Sequence, residues 1–173
     1  MAFKRKVRKS RLVWGEGLED KALLKHFLRE LKVEENAELY IHTGCGTGGS
    51  PKDIIDAAAR EIGNFNKRLV ILDRDDKSDD DMNEITRYAL RKDVGVHFVT
   101  PSLEAVILHI IAPDAKWKKR STQECKHEVE AKHVTRKKRT DEYAYKKLTL
   151  AKIMKATETD PELQFLIDYI KKD

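Results

Sequence analysis

Three acidic positions have the type and spacing to do chemistry. Glu16 stands between Gly15 and Gly17, directly after the apolar run Leu12-Val13-Trp14. Asp73-Arg74-Asp75-Asp76 closes a second apolar run, residues 68–73. Glu104 follows a third, residues 94–99, just beyond Thr100-Pro101-Ser102. Carboxylates gathered from such places repel one another, and a bound cation relieves that repulsion. Mg²⁺ takes hard oxygen donors in near-octahedral geometry, which carboxylates supply. Asp73 and Asp75 face the same side if the chain stays extended between them. Gly15 and Gly17 remove side chains beside Glu16 and let a phosphate approach. Singly, each has a bland reading: Glu-Gly as a turn with a solvated acid, Asp-x-Asp as a loop cap. Their joint placement, each after a buried strand, is what points to a metal site.

The elements that must position these acids alternate along the chain. Residues 11–14 read as a buried strand. Residues 18–32 place Leu23, Leu24, Phe27, Leu28 and Leu31 at helical spacing. A second strand is expected at 38–42, then a glycine-rich loop at 43–50. Ser50 reads as an N-cap with Pro51 at the first helical position, opening a helix to about Ile62 that Gly63 stops. Strand 68–73, a helix at 81–92, strand 94–99 and a helix from Thr100 to Ile111 follow. Four strand–helix alternations predict an α/β fold with a mostly parallel four-stranded sheet and right-handed crossovers. In such sheets functional groups collect at the carboxyl ends of the strands, where the three acidic signals lie. Beyond Pro113 the chain turns lysine-rich, and residues 115–156 read as one or two exposed helices. Thr159-Asp160-Pro161-Glu162 starts a last helix, whose apolar face of Leu163, Phe165, Leu166, Ile167, Tyr169 and Ile170 should pack back on the body.

Composition bounds the class. The 173 residues are 40% hydrophobic and 38% charged, which suits one highly charged globular domain with a modest extension. No stretch approaches the roughly 20 apolar residues of a membrane span. The N-terminus has no apolar run that would make it a signal peptide, so a cytoplasmic location and two reduced thiols, Cys45 and Cys125, are expected. Neither cysteine has a zinc-site spacing with the histidines. The net charge of +5 is unevenly spread. Residues 1–11 hold six bases and no acid, residues 12–115 twenty acids against thirteen bases, and residues 116–147 twelve bases against five acids. An acidic body flanked by basic segments suits a site that gathers cations beside surfaces that attract a polyanion. The alternative is that both basic segments are solvated tails and helix faces.

The phrase Val13-Trp14-Gly15-Glu16-Gly17-Leu18-Glu19-Asp20, with Leu72-Asp73-Arg74-Asp75 after a later strand, resembles the Toprim signature of DnaG-type primases, topoisomerases and OLD-family nucleases. Within that superfamily the chain most resembles the small stand-alone RloB-like and OLD-type nucleases. Gly49-Ser50-Pro51 before a helix and Ser102-Leu103-Glu104, leading to His109, carry that likeness; the aromatic and the Trp of that last segment are missing here. The resemblance spans about residues 11–112. It implies a Toprim, Rossmann-like catalytic domain over 11–113; the charge distribution and helical pattern add a basic arm over 1–10 and a basic helical extension over 114–173 expected to pack on that domain. It implies Glu16 as general base or metal ligand, Asp73 and Asp75 as ligands, and Glu104 as a further ligand. Asp20 occupies the place of a second catalytic acid, one methylene shorter than the glutamate usual there. The implied activity is Mg²⁺- or Mn²⁺-dependent cleavage of RNA, with tRNA one candidate, or of DNA, in prokaryotic phage defence or toxin-like arrest, with a protein partner from a defence operon. The alternative is a non-catalytic Toprim-fold module that binds nucleic acid or a partner.

Around this site lie secondary candidates. In the glycine-rich loop, Gly46, Gly48, Gly49 and Ser50 either form a flexible linker or offer backbone amides to a phosphate at a helix N-terminus; the loop lacks the Walker A closure. Lys118, Lys119, Arg120, Arg136, Lys137, Lys138 and Arg139 are expected to contact nucleic-acid phosphates. Trp117, Tyr143 and Tyr145 either stack on unpaired bases or pack helices. His109, among isoleucines and leucines, reads as a core histidine, and Asp79-Asp80-Asp81 as a helix start.

Overall fold

The computed structural model describes residues 9–36, 38–113, 115–135 and 138–171. Most of the expected basic arm, and Arg136 and Lys137, lie outside the described residues. The strands are β1 (Lys9–Gly15), β2 (Leu39–Cys45), β3 (Lys67–Asp73) and β4 (Gly95–Val99). They form one all-parallel sheet in the order β2-β1-β3-β4. Among the described residues seven α-helices accompany it: α1 (Leu18–Glu30), α2 (Pro51–Arg60), α3 (Asp79–Leu90), α4 (Leu103–Ile111), α5 (Thr122–Lys132), α6 (Leu150–Thr157) and α7 (Pro161–Lys171). The arrangement is the expected α/β, Rossmann-like one, and the sheet is wholly rather than mostly parallel.

The central strands β1 and β3 are apolar on both faces because both faces are covered. Leu12, Trp14, Val70 and Leu72 point to one side and pack with Ile54, Ile55 and Ala58 of α2 and Ile85 and Ala89 of α3. Val13, Leu69, Ile71 and Val99 point to the other, against α1, α4 and the C-terminal helices. α4 is buried on every side from Leu103 to Ile110, which fits a helix enclosed between the sheet and the extension. α5 and α6 pack on α4, and α7 reaches β4. Trp117 Nε1 donates to the Ala112 carbonyl at 3.0 Å, and buried Asp160 caps α7 by accepting from Glu162 N and Leu163 N.

Several boundaries differ from the sequence expectation for local reasons. β2 continues through Thr43 and Gly44 to Cys45 because β1 pairs with it to Gly15. Gly44 is required there, since a Cβ would sit 2.1 Å from the Trp14 ring. α3 starts two residues early, with Ser78 as its cap and Asp81 completing the capping box. α4 starts at Leu103, because Thr100 is held through its N–H and hydroxyl by Glu162 of α7. Phe165, expected on the packed face of α7, is 47% exposed and stacks on His97 at 4.5 Å. No helix among the described residues is long and apolar enough to cross a membrane.

Candidate functional site

β1 and β3 are neighbours in space but not in sequence order, so the chain reverses its direction of winding between them. That is the switch point at which an open α/β sheet leaves a crevice at the strand ends. Glu16 follows β1 and Asp73 ends β3. The Glu16 carboxylate crosses the gap: its Oε1 accepts from the backbone N–H of Asp73 at 2.8 Å. Asp20, in the first turn of α1, turns back toward β1. Its Oδ2 accepts from Glu16 N at 2.8 Å and Gly17 N at 3.1 Å. Gly15 makes this fold-back possible, since a Cβ there would lie 2.4 Å from that of Asp20. Asp73 Oδ1 accepts from Leu103 N at 3.0 Å, which ties the tip of β3 to the N-terminus of α4. Glu104, one residue further along α4, is 4% exposed.

Glu16, Asp20, Asp73 and Glu104 line a single cavity of about 700 Å³, together with Gly46, Gly48, Cys45, Lys126 and Thr140. Burial raises the Glu16 carboxyl above its ordinary value, against the Asp73 N–H and Lys77, which favour its charge. Burial, reinforced by Glu104 and Glu16, pushes Asp20 up to about 7 despite its backbone bonds. Asp73 rises to about 8, first from burial and then from the charges of Glu104, Asp20 and Glu16. These are carboxylates in want of positive charge. Glu16, Asp20 and Asp73 each use one oxygen on backbone N–H groups, leaving a second oxygen for another partner. The buried hydroxyl of Ser102, at the N-cap of α4, has no hydrogen-bond partner among the described residues. Hard oxygen donors with spare capacity fit Mg²⁺ or Mn²⁺. They do not form a ready-made cage: among the described residues, no group of three or more His, Cys, Asp or Glu side chains is disposed to hold a metal.

Asp75 departs from the extended geometry expected of the Asp-x-Asp pair. Its φ of 45° puts it in the left-handed region, which Asp tolerates better than most residues. The turn is fixed by its N–H, which donates to Pro101 O at 2.9 Å. Its carboxylate receives the Thr122 hydroxyl, lies 3.5 Å from Lys77 Nζ, and faces an adjoining cavity of about 440 Å³ rather than the one holding Asp73. It is still near enough for its charge to raise Glu16.

The basic residues also divide. Arg139 is a correction to the sequence reading. It is 4% exposed and bound to Glu104, with Glu19 at 2.8 Å and Glu130 at 3.1 Å, so it is no surface phosphate contact. Lys118 is held by Asp160 at 2.8 Å and Glu162 at 2.9 Å. Arg120 lines the cavity of Asp75, beside Arg74 and Lys126. Lys119 is exposed, and Lys138 lines a separate surface pocket with His133 and Lys147. Trp117 and Tyr145 are core residues, at 7% and 2% exposure, and only Tyr143 of that trio is open to solvent. The phosphate-loop reading also narrows. Gly46 and Gly48 line the site cavity, but Ser50 spends its N–H and hydroxyl on the Asp53 carboxylate, which occupies the N-terminus of α2 itself. Gly49 is needed for a φ of 118° beside Asp53. His109 is a core histidine, 3.0 Å from the Thr159 hydroxyl. Both cysteines are free thiols; burial raises Cys45, which lines the cavity, and pushes Cys125 up to about 11.

Lys126 was not singled out in the sequence. It lines both cavities. Burial opposes its charge, but Glu104, Asp73 and Asp75 outweigh that and hold its pKa above the ordinary lysine value. The signal is three residues at four-residue spacing on α5: Thr122 reaches Asp75, Lys126 stands among the acids, and Glu130 reaches Arg139.

No family model matches the chain, and no curated protein matches it. Among solved structures it is similar to the C-terminal region of the Burkholderia pseudomallei OLD protein, over 92% of this chain and 98% of that one, with 12% identity and a TM-score of 0.45.

Proposed function

We propose that this chain is a divalent-metal-dependent phosphodiesterase that cuts nucleic acid. The observation that carries the reading is the meeting of separate strand tips: the Glu16 carboxylate accepts from Asp73 N in a cavity that also takes Asp20 and Glu104. The Toprim-like phrases of the sequence fall on these same residues. Glu16 and Asp73 would hold Mg²⁺ or Mn²⁺ through their remaining oxygens, with Asp20 beside them, and Asp75 and Glu104 at its margins. Such an ion supplies Lewis-acid chemistry at a phosphoryl oxygen. Asp20, held near 7, is suited to take or give a proton at neutral pH. Gly46 and Gly48 line the cavity between and beside Cys45 and Thr47 and bring backbone close to it. Lys126, Arg120 and Arg74 line the route out of the site past Asp75 and would hold the flanking phosphates. A role in prokaryotic defence or growth arrest is supported by the sequence resemblance.

The test is incubation of purified protein with labelled tRNA, single-stranded RNA and plasmid DNA, in Mg²⁺, Mn²⁺ or EDTA. Cleavage is expected only with metal, and its substrate arm identifies RNA or DNA. Glu16→Gln and Asp73→Asn should each lower the rate by at least about 10²-fold, the scale of losing one charge-stabilising group, while binding survives. Wild-type cleavage by both variants would overturn the assignment. A second reading, binding without catalysis, is favoured by the absence of a ready-made metal cage among the described residues. Steeply salt-dependent binding with no cleavage in any arm would decide for it.

A further inference from the structure

Five carboxyl groups line the cavity, Glu16, Glu19, Asp20, Asp73 and Glu104, and the chain itself supplies a cation beyond Lys126. Arg139 lies in a lysine- and arginine-rich run that reads as surface, yet its side chain is 5% exposed. Its Nη2 donates to Glu104 and lies 2.8 Å from Glu19 Oε2, and its Nη1 lies 3.1 Å from Glu130 Oε1. One guanidinium thus joins carboxylates of α1, α4 and α5. Tyr145, buried against α1, anchors it by donating its hydroxyl to the Arg139 carbonyl at 2.8 Å. A guanidinium stays protonated at any accessible pH, and its planar fork serves several carboxylates at once, which an ammonium cannot do equally. Glu104 is the acid it neutralises most directly, and Glu104 faces the same cavity as Glu16, Asp20 and Asp73.

Two-ion phosphoryl-transfer sites place their metals about 3.5–4 Å apart and need carboxylates on both. Here Glu16 and Asp73 meet at the strand tips with Asp20 alongside, while Glu104, which faces the same cavity and acts on Asp73 and Asp20 through its charge, is gathered with Glu19 and Glu130 on a cation. We propose that Arg139 stands in for a second metal, so that the site loads one divalent ion, held on the Glu16–Asp73 side. This rests on the metal-centre reading above. In this arrangement the C-terminal extension completes the charge balance of the site, and Glu104 acts through Arg139 rather than as a ligand.

The test is binding stoichiometry, which needs no substrate. The full chain is titrated with Mn²⁺, and free Mn²⁺ is read by electron paramagnetic resonance. One ion per chain is expected. Two ions would overturn the role of Arg139 while leaving the metal centre intact; none would overturn the metal centre and this inference with it. Arg139→Met, if it folds, should take up two ions, because Glu104 and Glu19 are left without their cation; uptake of one would contradict the proposal. Where that variant does not fold, the charge-balanced double variant Glu104→Gln/Arg139→Met serves. It should bind one ion, and zero or two would contradict the proposal.

Discussion

Asp73 meets two demands at once. It ends a buried strand and binds the N–H of Leu103, yet it shares a cavity with Glu16, Asp20 and Glu104, whose charges and its own burial push it up to about 8. A carboxyl with a higher pKa in the folded chain binds more protons there than in the unfolded chain. For Asp73 that window runs from 3.8 to about 8. Metal-free stability should therefore fall as pH rises through the window, the reverse of the usual ion-paired carboxylate. Asp20, raised to about 7, acts in the same direction over a narrower range. Asp73→Asn keeps an oxygen for Leu103 N and removes the charge. In EDTA at pH 8 its Tm should exceed the wild type's by at least about 2–4 °C, the response to one kcal/mol in a chain of this size. Added Mn²⁺ should raise the wild type's Tm and not the variant's. Thermal melts across pH check this; a variant less stable than wild type at pH 8 would show that the Asp73 charge is already compensated.

At the scale of elements, β1, its following turn and α1 act as one device. Gly15 has a neighbour where a Cβ would go, 2.4 Å away on Asp20, whereas Gly17, the N-cap of α1, has nothing within 4 Å. Gly15→Ala should destabilise by about 1–3 kcal/mol, the range for overpacking, and push Asp20 off the Glu16 and Gly17 amides. Gly17→Ala should cost well under half as much. Denaturant titration of the two variants separates them, and equal losses would mean that Asp20 does not depend on Gly15. The strands and most helices were legible because their apolar periodicity reports burial directly, and Ser50-Pro51 announced α2. What could not be read depends on tertiary pairing. β2 gains Gly44 and Cys45 from its register with β1. Asp75 turns away because Pro101 and Thr122, distant in sequence, take its N–H and its carboxylate. Arg139 looked like its neighbours in a basic run, and only the packing of the extension brings it to Glu104.

For the whole molecule, the strand order β2-β1-β3-β4 explains why acids 57 residues apart share a hydrogen bond. The winding reverses between β1 and β3, so the tips carrying Glu16 and Asp73 are neighbours at the crevice. The alternation of strands and helices predicted an open parallel sheet, but not which strands adjoin; that order determined whether the acids could meet. The extension then closes the far side of the site: α5 brings Lys126, and the turn after it brings Arg139, to a cluster made by the sheet. In the proposed function, the strand-tip carboxylates take a divalent ion. The most direct measurement is anomalous diffraction from a crystal of the full chain soaked in Mn²⁺. An anomalous peak is expected within coordination distance, about 2–2.5 Å, of both Glu16 and Asp73 carboxylate oxygens. A peak elsewhere on the surface, or no peak at that crevice, would contradict it.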